Sequence, residues 1–323
     1  MSLPTISIKE GDVLAFSCDV LVLKYAQGFH GVDRVVIGRL EKPPQNSATV
    51  SPKPGECALL ISEGAIASKQ VLFVGVPSLD NFGYPEIRRF ATLSMKLLAQ
   101  HVPEVETVAM TMHGAGYGLD EREAFLAQVG GLVDAFRDRA MPKYLERVVI
   151  VEHDGRRAQR LLKVLHESLP LKYIAEASAT TRTISPQPLM DAGLTTKPHV
   201  FVAMPFGAEM DDVYIFGIEG PTHAAGYLCE RVDMSVFTGD ILARIKSSIQ
   251  GASLVIADVS GANPNVYLEV GYAWGKERPT LIVVREGEEL KYDISSQRCI
   301  RYKSINDLAK QLGQVLRTLV EEN

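Results

Sequence analysis

Short apolar runs alternate with helical patterns along most of this 323-residue chain, and this alternation limits the folds open to it. Six runs in the first half have the β-branched and apolar content of strands: TISIKEG, DVLVLKY, ECALLIS, QVLFVGV, TVAMTMH and RVVIVEH. Helical patterns such as PEIRRFATLSMKLLAQH separate the later runs. Strands that alternate with helices usually pair in parallel, so the pattern predicts a largely parallel sheet covered by helices on both faces.

The alternation stops between residues 171 and 197, where the chain is rich in Thr, Ser, Ala and Pro and has no sustained period. This composition predicts a linker. The pattern restarts with the runs HVFVAMPF, RVDMSVF, LVIADVS and PTLIVVRE, which are separated by helical segments and followed by a closing helix. We therefore predict two three-layer α/β domains, at 1–170 and 198–323, the second with about five strands in a flavodoxin-like parallel sheet.

Composition and charge exclude several classes of protein. The net charge of −5 argues against nucleic-acid binding through phosphate neutralisation. No apolar run is long enough for a membrane span, and the N-terminus lacks the pattern of a secretory signal. The four cysteines are far apart, with no CxxC pair. These features predict a cytoplasmic protein with no metal site, no nucleic-acid partner and no membrane partner.

A single carboxylate, Glu269, stands among apolar residues in the stretch IADVSGANPNVYLEVGYAWG. Asn263 is a good N-cap for the helix that follows, and Pro264 then occupies its first position. The apolar face in that register consists of Val266, Val270, Ala273 and Trp274. Glu269 lies on the flank of this face, so we expect it to be partly buried at the carboxyl end of the sheet, where open α/β folds bind ligands.

A carboxylate that is half removed from water is costly unless it is paired or used. A salt bridge to Arg231 or Arg278 would be a purely structural role for Glu269. A functional role is favoured because aromatic, basic and acidic residues follow three strands of the domain. We predict Asp258 and Asn263 as further catalytic residues, and as substrate-binding residues Met204, Pro205, Phe206, Arg231, Asp233, Ser260, Asn265 and Trp274.

This set of residues suits cleavage of an N-glycosidic bond. The carboxylate of Glu269 could stabilise, or covalently trap, the positively charged sugar as the base leaves. The chemistry needs neither a metal nor a cofactor.

Residues 198–302 resemble TIR-like domains and nucleoside 2-deoxyribosyltransferases. Both families have a flavodoxin-like sheet and a catalytic glutamate on the helix after a central strand, the place that Glu269 occupies. In the transferases an Asp lies six residues before the glutamate, where this chain has Asn263. The Trp-Cys pair of TIR enzymes is replaced by Asn265 and Val266. The resemblance implies cleavage of the nicotinamide–ribose bond of NAD, or of a nucleoside.

A glycine-rich turn in the first half, HGAGYGLDEREAF, lies between a strand and a helix. The glycines allow main-chain N–H groups to converge, and the positive end of the helix that opens near Asp120 points to the same place. Such a loop favours a phosphate or diphosphate, although glycines also occur in tight turns without a ligand.

Residues 5–168 resemble a macro domain, the module that binds ADP-ribose, in the order of three stretches: KEGDVLAFSCDVLVLKYAQGFHGVD, PGECALLISEGAIASKQVLFVGVP and HGAGYGLDEREA. The resemblance implies that Asp12 receives the adenine amino group. It implies a first phosphate loop from Gly28 to Val32 that includes Gly31. It implies a second loop formed by Gly114, Ala115, Gly116, Tyr117 and Gly118, with Tyr117 against the distal ribose.

The first loop departs from the macro-domain pattern. Where active members have Asn-Ala-Ala-Asn, this chain has Lys24-Tyr25-Ala26-Gln27. The resemblance therefore implies binding of ADP-ribose or a cyclic derivative rather than its removal from protein.

Together the two halves predict an NAD-directed glycohydrolase or ADP-ribosyl cyclase with a macro-like nucleotide-binding domain, which would suit a bacterial antiviral effector. Two alternatives stay open. One is a nucleoside or nucleotide N-glycosidase or 2-deoxyribosyltransferase, and the other is a non-catalytic sensor in which Glu269 only orients a bound ribose. TIR-like sites often need a neighbouring protomer, so we expect a homo-oligomer when the protein is active.

Overall fold

A computed structural model describes residues 3–40, 50–114, 117–174, 187–232, 241–290 and 299–321. The chain forms two compact units. The first consists of Met1–Ala115 and Glu121–Thr195, and the second of Gly116–Asp120 and Thr196–Asn323. The division after Thr195 falls inside the segment that the composition predicts as a linker.

The first unit contains a six-stranded sheet in the order β1-β6-β5-β2-β4-β3. Its strands are β1 (Thr5–Glu10), β2 (Val20–Tyr25), β3 (Cys57–Ile61), β4 (Gln70–Gly75), β5 (Thr107–Thr111) and β6 (Arg147–Glu152). All six correspond to runs predicted from the sequence. The strands pair in parallel except for β3, which lies antiparallel to β4 at one edge. The prediction of a largely parallel sheet is confirmed.

The helices of the first unit are α1 (Val32–Leu40), α2 (Tyr84–His101), α3 (Glu121–Arg137), α4 (Gly155–Ser168) and α5 (Gln187–Asp191). The first turn of α4 is capped by Asp154, whose carboxylate accepts hydrogen bonds from the main-chain nitrogens of Arg156 and Arg157. Helices α2 and α3 pack so closely that a Cβ atom at Gly131 would lie 2.1 Å from the carbonyl oxygen of Arg88. Only glycine permits this approach.

Arg88, in α2, contacts both α3 and the C-terminal residues of the first unit. Its side chain is buried, and its Nε donates to Asp134 at 2.8 Å. Its Nη1 donates to the carbonyl oxygens of Leu189 and Ala192 at 3.0 and 2.6 Å. Residues 187–192, which the composition places in the linker, therefore pack on the first unit.

The second unit contains a five-stranded parallel sheet in the order β8-β7-β9-β10-β11. Its strands are β7 (His199–Ala203), β8 (Leu228–Glu230), β9 (Leu254–Asp258), β10 (Thr280–Arg285) and β11 (Cys299–Tyr302). In order of sequence the arrangement is 2-1-3-4-5, which is the flavodoxin-like doubly wound order. The predicted fold class of two α/β units is confirmed.

Two short strands differ from the sequence prediction. The run RVDMSVF was predicted as a strand, but β8 ends at Glu230, and Arg231 and Val232 follow it outside the sheet. The prediction was wrong at these two residues because the alternating pattern of the run also fits an irregular segment. The rest of the run, 233–237, lies outside the described residues. Strand β11 was not predicted, because its four residues, CIRY, are too few to show the alternation of apolar and polar residues that indicates a strand.

The helices of the second unit are α6 (Ala208–Asp212), α7 (Gly220–Ala224), α8 (Ile241–Gly251), α9 (Pro264–Gly275) and α10 (Ile305–Glu321), with a π-helical segment over Val213–Glu219. Strand side chains alternate between the two faces of the sheet. One face packs against α10 through residues that include Val202, Ile256 and Leu312. The other packs against α8 and α9 through residues that include Ala257, Ile245 and Val270.

No helix among the described residues combines the length and the apolar character needed to cross a membrane.

Candidate functional site

Helix α9 begins at the carboxyl end of the central strand β9, as the sequence predicts. The Asn263 side chain caps it by accepting a hydrogen bond from the main-chain nitrogen of Asn265 at 2.9 Å, and Pro264 occupies its first turn. Val266, Val270 and Ala273 are buried against the sheet. Trp274 was predicted on the same apolar face, but it is 36% exposed. It lies on the flank of the buried stripe, because an α-helix turns about 100° per residue.

Glu269 lies on the other flank of α9 and is partly buried, as the sequence predicts. Burial alone raises the pKa of its carboxyl group from 4.5 to about 7. The two arginines considered as partners are engaged elsewhere: Arg231 pairs with Asp211, and Arg278 donates weakly to the carbonyl oxygen of Ala252. Among the described residues, no hydrogen bond or ion pair reaches the Glu269 carboxylate. The salt-bridge alternative is therefore not realised there.

The Glu269 carboxyl group faces a groove between α8 and α9 that has a volume of ≈ 240 Å³. We call this space the Glu269 groove; it is lined by Ile241, Leu242, Ile245, Lys246, Ile249, Asn265, Leu268, Glu269 and Tyr272. Its walls are mostly aliphatic. They supply few dipoles to solvate a charge, which explains the raised pKa of Glu269.

One end of the Glu269 groove combines an aromatic ring with positive charge. The Lys246 ammonium lies 5.9 Å from the centroid of the Tyr272 ring, and the Lys276 ammonium lies 5.7 Å from it. Neither Lys246 nor Tyr272 was predicted from the sequence. The apolar spacing of Ile241, Ile245 and Ile249 predicts that α8 has a buried face, but it does not tell which helix that face meets.

Asp258 lies at the end of β9, but on the opposite face of the sheet from Glu269. It is fully buried, and its carboxylate accepts hydrogen bonds from the main-chain nitrogen of Ser260 at 3.0 Å and from the hydroxyl of Tyr302 at 2.9 Å. Burial raises the pKa of Asp258 despite these bonds. The hydroxyl of Ser260 accepts in turn from the main-chain nitrogen of Arg285. This network ties together the ends of β9, β10 and β11.

Arg231 follows β8 and is surrounded by its own partners. Its guanidinium lies 4.2 Å from the centroid of the Tyr214 ring and 5.3 Å from that of Phe206. It donates to Asp211 at 3.2 Å and lies 3.7 Å from the sulfur of Met204. Pro205 lies in the same loop after β7, and Asp233 lies outside the described residues. The described contacts join Arg231 to residues between 204 and 214, which follow β7, and none of these residues lines the Glu269 groove.

Asp12 and the first glycine loop lie at the carboxyl ends of β1 and β2. Asp12 is exposed, and one of its carboxylate oxygens accepts from the main-chain nitrogen of Leu14 at 2.9 Å. Gly28 to Val32 leads into α1, and Gly31 has a φ of 55° that favours glycine. The Gln27 side chain donates a hydrogen bond to the carbonyl oxygen of Val76 at 2.8 Å.

The second predicted loop is divided between the two units. Gly114 closes β5 with a φ of 103° and belongs to the first unit. Ala115 and Gly116 lie outside the described residues. Tyr117 and Gly118 belong to the second unit, where the Tyr117 carbonyl oxygen accepts from Arg244 at 3.1 Å. A Cβ atom at Gly118 would lie 2.6 Å from Val232. For Gly118, close packing is therefore a sufficient reason for glycine.

Buried charge lies on either side of the first glycine loop in the sequence, in β2 and α1, and no sequence pattern indicated it. The Lys24 ammonium and the Asp33 carboxylate form an ion pair at 2.6 Å with almost no exposure. His113 is also buried, and both its burial and the charge of Lys24 lower its pKa.

One group of side chains in the second unit has ligand atoms close enough for a metal ion. Asp120, Glu219 and His223 each offer one such atom within 4.8 Å of the others. Asp120 already contacts His223 at 2.5 Å and accepts from the main-chain nitrogen of Cys229 at 2.8 Å. These contacts account for Asp120 without a metal.

No family model matches the chain, and a search of curated proteins gives no match to its sequence. Solved macrodomains are similar to its N-terminal half. The Trypanosoma brucei macrodomain in complex with ADP is 15% identical over 50% of this chain and 69% of that one, with a TM-score of 0.40. The Oceanobacillus iheyensis macrodomain with ADP is 17% identical over 50% and 90%, with a TM-score of 0.39.

A CMP N-glycosidase from Clostridium botulinum is also similar, with 18% identity over 36% of this chain and 98% of that one and a TM-score of 0.30. At these identities the likenesses concern the fold alone.

Proposed function

We propose that the second unit cleaves an N-glycosidic bond, with Glu269 as its nucleophile or charge stabiliser and NAD as its substrate. The observation that supports this is a carboxyl group in an apolar groove that no described residue pairs or bonds. Such a group is costly to the fold. With a pKa of about 7, a substantial fraction is ionised near neutral pH while remaining poorly solvated, which suits a carboxylate that meets a developing cation.

The chemistry of NAD fits a groove with a single carboxyl group. When the nicotinamide–ribose bond breaks, its electron pair goes to the pyridinium nitrogen, so nicotinamide leaves as a neutral molecule and needs no proton donor. The anomeric carbon becomes cationic, and the Glu269 carboxylate stabilises it or forms an ester with it. Water then attacks the same carbon, displacing the Glu269 carboxylate where an ester has formed, and ADP-ribose and a proton are released. The aliphatic walls accept the neutral base.

The test is incubation of the purified full chain with NAD and analysis of the products by mass spectrometry. Glu269→Gln should lower base release by a hundredfold or more, since it removes the charge that meets the cation, on the order of 3 kcal/mol or more of the barrier. The control is Glu277→Gln, which changes an exposed glutamate just beyond α9 and should leave turnover unchanged. Near-normal turnover by Glu269→Gln would contradict the proposal.

The same assay separates the alternatives. Release of base from nucleosides or nucleotides, but not from NAD, would favour the N-glycosidase or 2-deoxyribosyltransferase. Binding of a nucleotide without any turnover by the wild-type chain would favour the sensor. We also propose that the protein acts in bacterial antiviral defence and that it is a homo-oligomer when active. Growth arrest on expression of the wild type, but not of Glu269→Gln, would support the role in defence.

We propose that the first unit binds ADP-ribose or a cyclic derivative without hydrolysing ADP-ribosylated protein. The loop from Gly28 to Val32 leads into the positive end of α1, so its main-chain N–H groups are suited to a diphosphate. Asp12 is exposed for a contact with the base. Because the Gln27 amide is bonded to Val76, it is not oriented toward a ribose, which argues against hydrolysis.

Calorimetry of the full chain with ADP-ribose tests this second proposal. Asp12→Ala should weaken binding by about 1–2 kcal/mol, the value of one hydrogen bond to the base. Gly31→Val should remove binding, because a β-branched residue does not readily adopt a φ of 55°. Circular dichroism checks that both variants are folded. Binding that is unaffected by Gly31→Val would place the ligand elsewhere.

A further inference from the structure

The aromatic ring of Tyr272 is flanked by two lysines that approach it from different elements. Lys246 comes from α8, across the Glu269 groove, and its ammonium lies 5.9 Å from the ring centroid. Lys276 is the C-cap residue of α9, and its ammonium lies 5.7 Å from the centroid. A cation beside an aromatic face is attracted to it, so the ring helps to hold both ammonium groups at this end of the groove.

Tyr272 lies one helical turn beyond Glu269 on the same helix. Side chains three residues apart on a helix are neighbours, with about 5–6 Å between their Cβ atoms. A ribose whose anomeric carbon faces Glu269 would therefore place its 5′ end near Tyr272 and the two lysines. Lys246 and Tyr272 line the groove together with Glu269, and Lys276 reaches the same tyrosine ring from the end of α9.

We propose that the Glu269 groove selects a nucleotide over the corresponding nucleoside, with Lys246 and Lys276 binding the phosphate on the 5′ carbon and Tyr272 packing against the sugar. This inference rests on the proposed function, and it adds the requirement for a phosphate. That phosphate could belong to a mononucleotide or to the diphosphate of a dinucleotide such as NAD. The recognised chemistry is the same in both.

The charges at this end of the groove favour an anion on balance. The carboxyl end of α9 contributes roughly half a negative charge and Glu269 is partly ionised, and both oppose a phosphate, but the two ammonium groups contribute two positive charges. Both lysines reach into solvent, so each contact should change the affinity for the phosphate by only about five- to tenfold. The effect should weaken as the salt concentration rises.

The experiment compares matched substrates that differ only in the phosphate: nicotinamide mononucleotide against nicotinamide riboside, and CMP against cytidine. Lys246→Gln and Lys276→Gln should each raise KM about five- to tenfold for the phosphorylated member, with little change in kcat. Neither should affect the nucleoside. Lys246→Arg, which keeps the charge, should restore most of the affinity. The control is Lys310→Gln, an exposed lysine of α10 on the other side of the sheet.

The outcomes separate this inference from the function on which it rests. Equal losses for nucleotide and nucleoside, or no loss for either, would overturn the phosphate contact while leaving a glutamate-dependent glycosidase intact. If neither NAD nor any member of the two pairs is turned over, the proposed function fails. Calorimetry with inorganic pyrophosphate then tests the phosphate site on its own. Binding that weakens in Lys246→Gln and Lys276→Gln, but not in Lys310→Gln, would support the phosphate site. Binding that is equal in all proteins would overturn it.

Discussion

Glu269 is the residue at which stability and proposed function conflict most clearly. Its carboxyl group faces aliphatic walls, and burial is the only cause of its raised pKa. A fold selected for stability alone would place an apolar residue or a neutral amide at this position, since an ill-solvated carboxylate costs free energy. Activity is a sufficient reason to retain the carboxylate, as many enzymes give up stability at their sites.

The raised pKa predicts how the stability of the protein changes with pH. Below about pH 4.5 the carboxyl group is protonated in both the folded and the unfolded chain. As the pH rises toward 7, the unfolded chain loses this proton first, so the folded state loses stability, and the loss is complete above pH 7. Glu269→Gln has no such titration. Its free energy of unfolding should rise relative to that of the wild type by about 3 kcal/mol between pH 4.5 and 8.

Urea denaturation of both proteins at several pH values measures this difference. Glu277→Gln, which changes an exposed glutamate outside the groove, serves as the control. Parallel stability profiles for the wild type and Glu269→Gln would mean that the carboxyl group is well solvated, and the argument from desolvation would then fail.

The residues around Glu269 were only partly predictable from the sequence. Its position on the flank of α9 and the cap at Asn263 follow from helical periodicity, which is a local property. Asp258 was grouped with Glu269 because both follow β9, yet it belongs to the face of the sheet that packs against α10. Lys246 lines the groove from another helix, α8, and its contact with the Tyr272 ring cannot be predicted from the local sequence of either helix.

At the scale of elements, long strands and helices were predictable, and short ones were not. Strands such as β2 and β9 are continuous apolar runs because both of their faces are buried. Strand β8 has only three residues, and it is held by pairing with β7 rather than by a pattern of its own. Helix α5 is similar, since the contacts from Arg88 to residues that follow α3 by more than fifty positions fix its place.

The Glu269 groove is formed by two elements, α8 and α9. The buried faces of α8 and α9 can each be predicted from their apolar spacing. The space between the two helices depends on how both pack on the sheet, which the spacing does not describe. A single sequence therefore indicates the helices that border the groove but not its lining.

At the scale of the whole molecule, the second unit is built from two separate parts of the chain. Residues 116–120 precede α3 of the first unit, but they belong to the second. Asp120 joins them to strand β8, since its carboxylate accepts a hydrogen bond from the main-chain nitrogen of Cys229, 109 residues further along the chain. Contacts over such distances leave no trace in local composition, so the sequence predicts domains that are contiguous in the chain.

The hydrogen bond between Asp120 and the Cys229 amide can be tested by substitution. Asp120 is buried, and Asp120→Ala would leave the main-chain nitrogen of Cys229 without its acceptor, at a cost of about 1–3 kcal/mol. Because the chain has two units and unfolding need not be two-state, the sensitive measurement is hydrogen exchange at the Cys229 amide. Exchange should be faster by about ten- to a hundredfold in Asp120→Ala. It should be less affected in Asp120→Asn, which keeps an acceptor oxygen. Asp138→Ala changes an exposed carboxylate of the first unit and should have no effect. If Asp120→Ala leaves the Cys229 amide as protected as in the wild type, residues 116–120 do not stabilise the second unit.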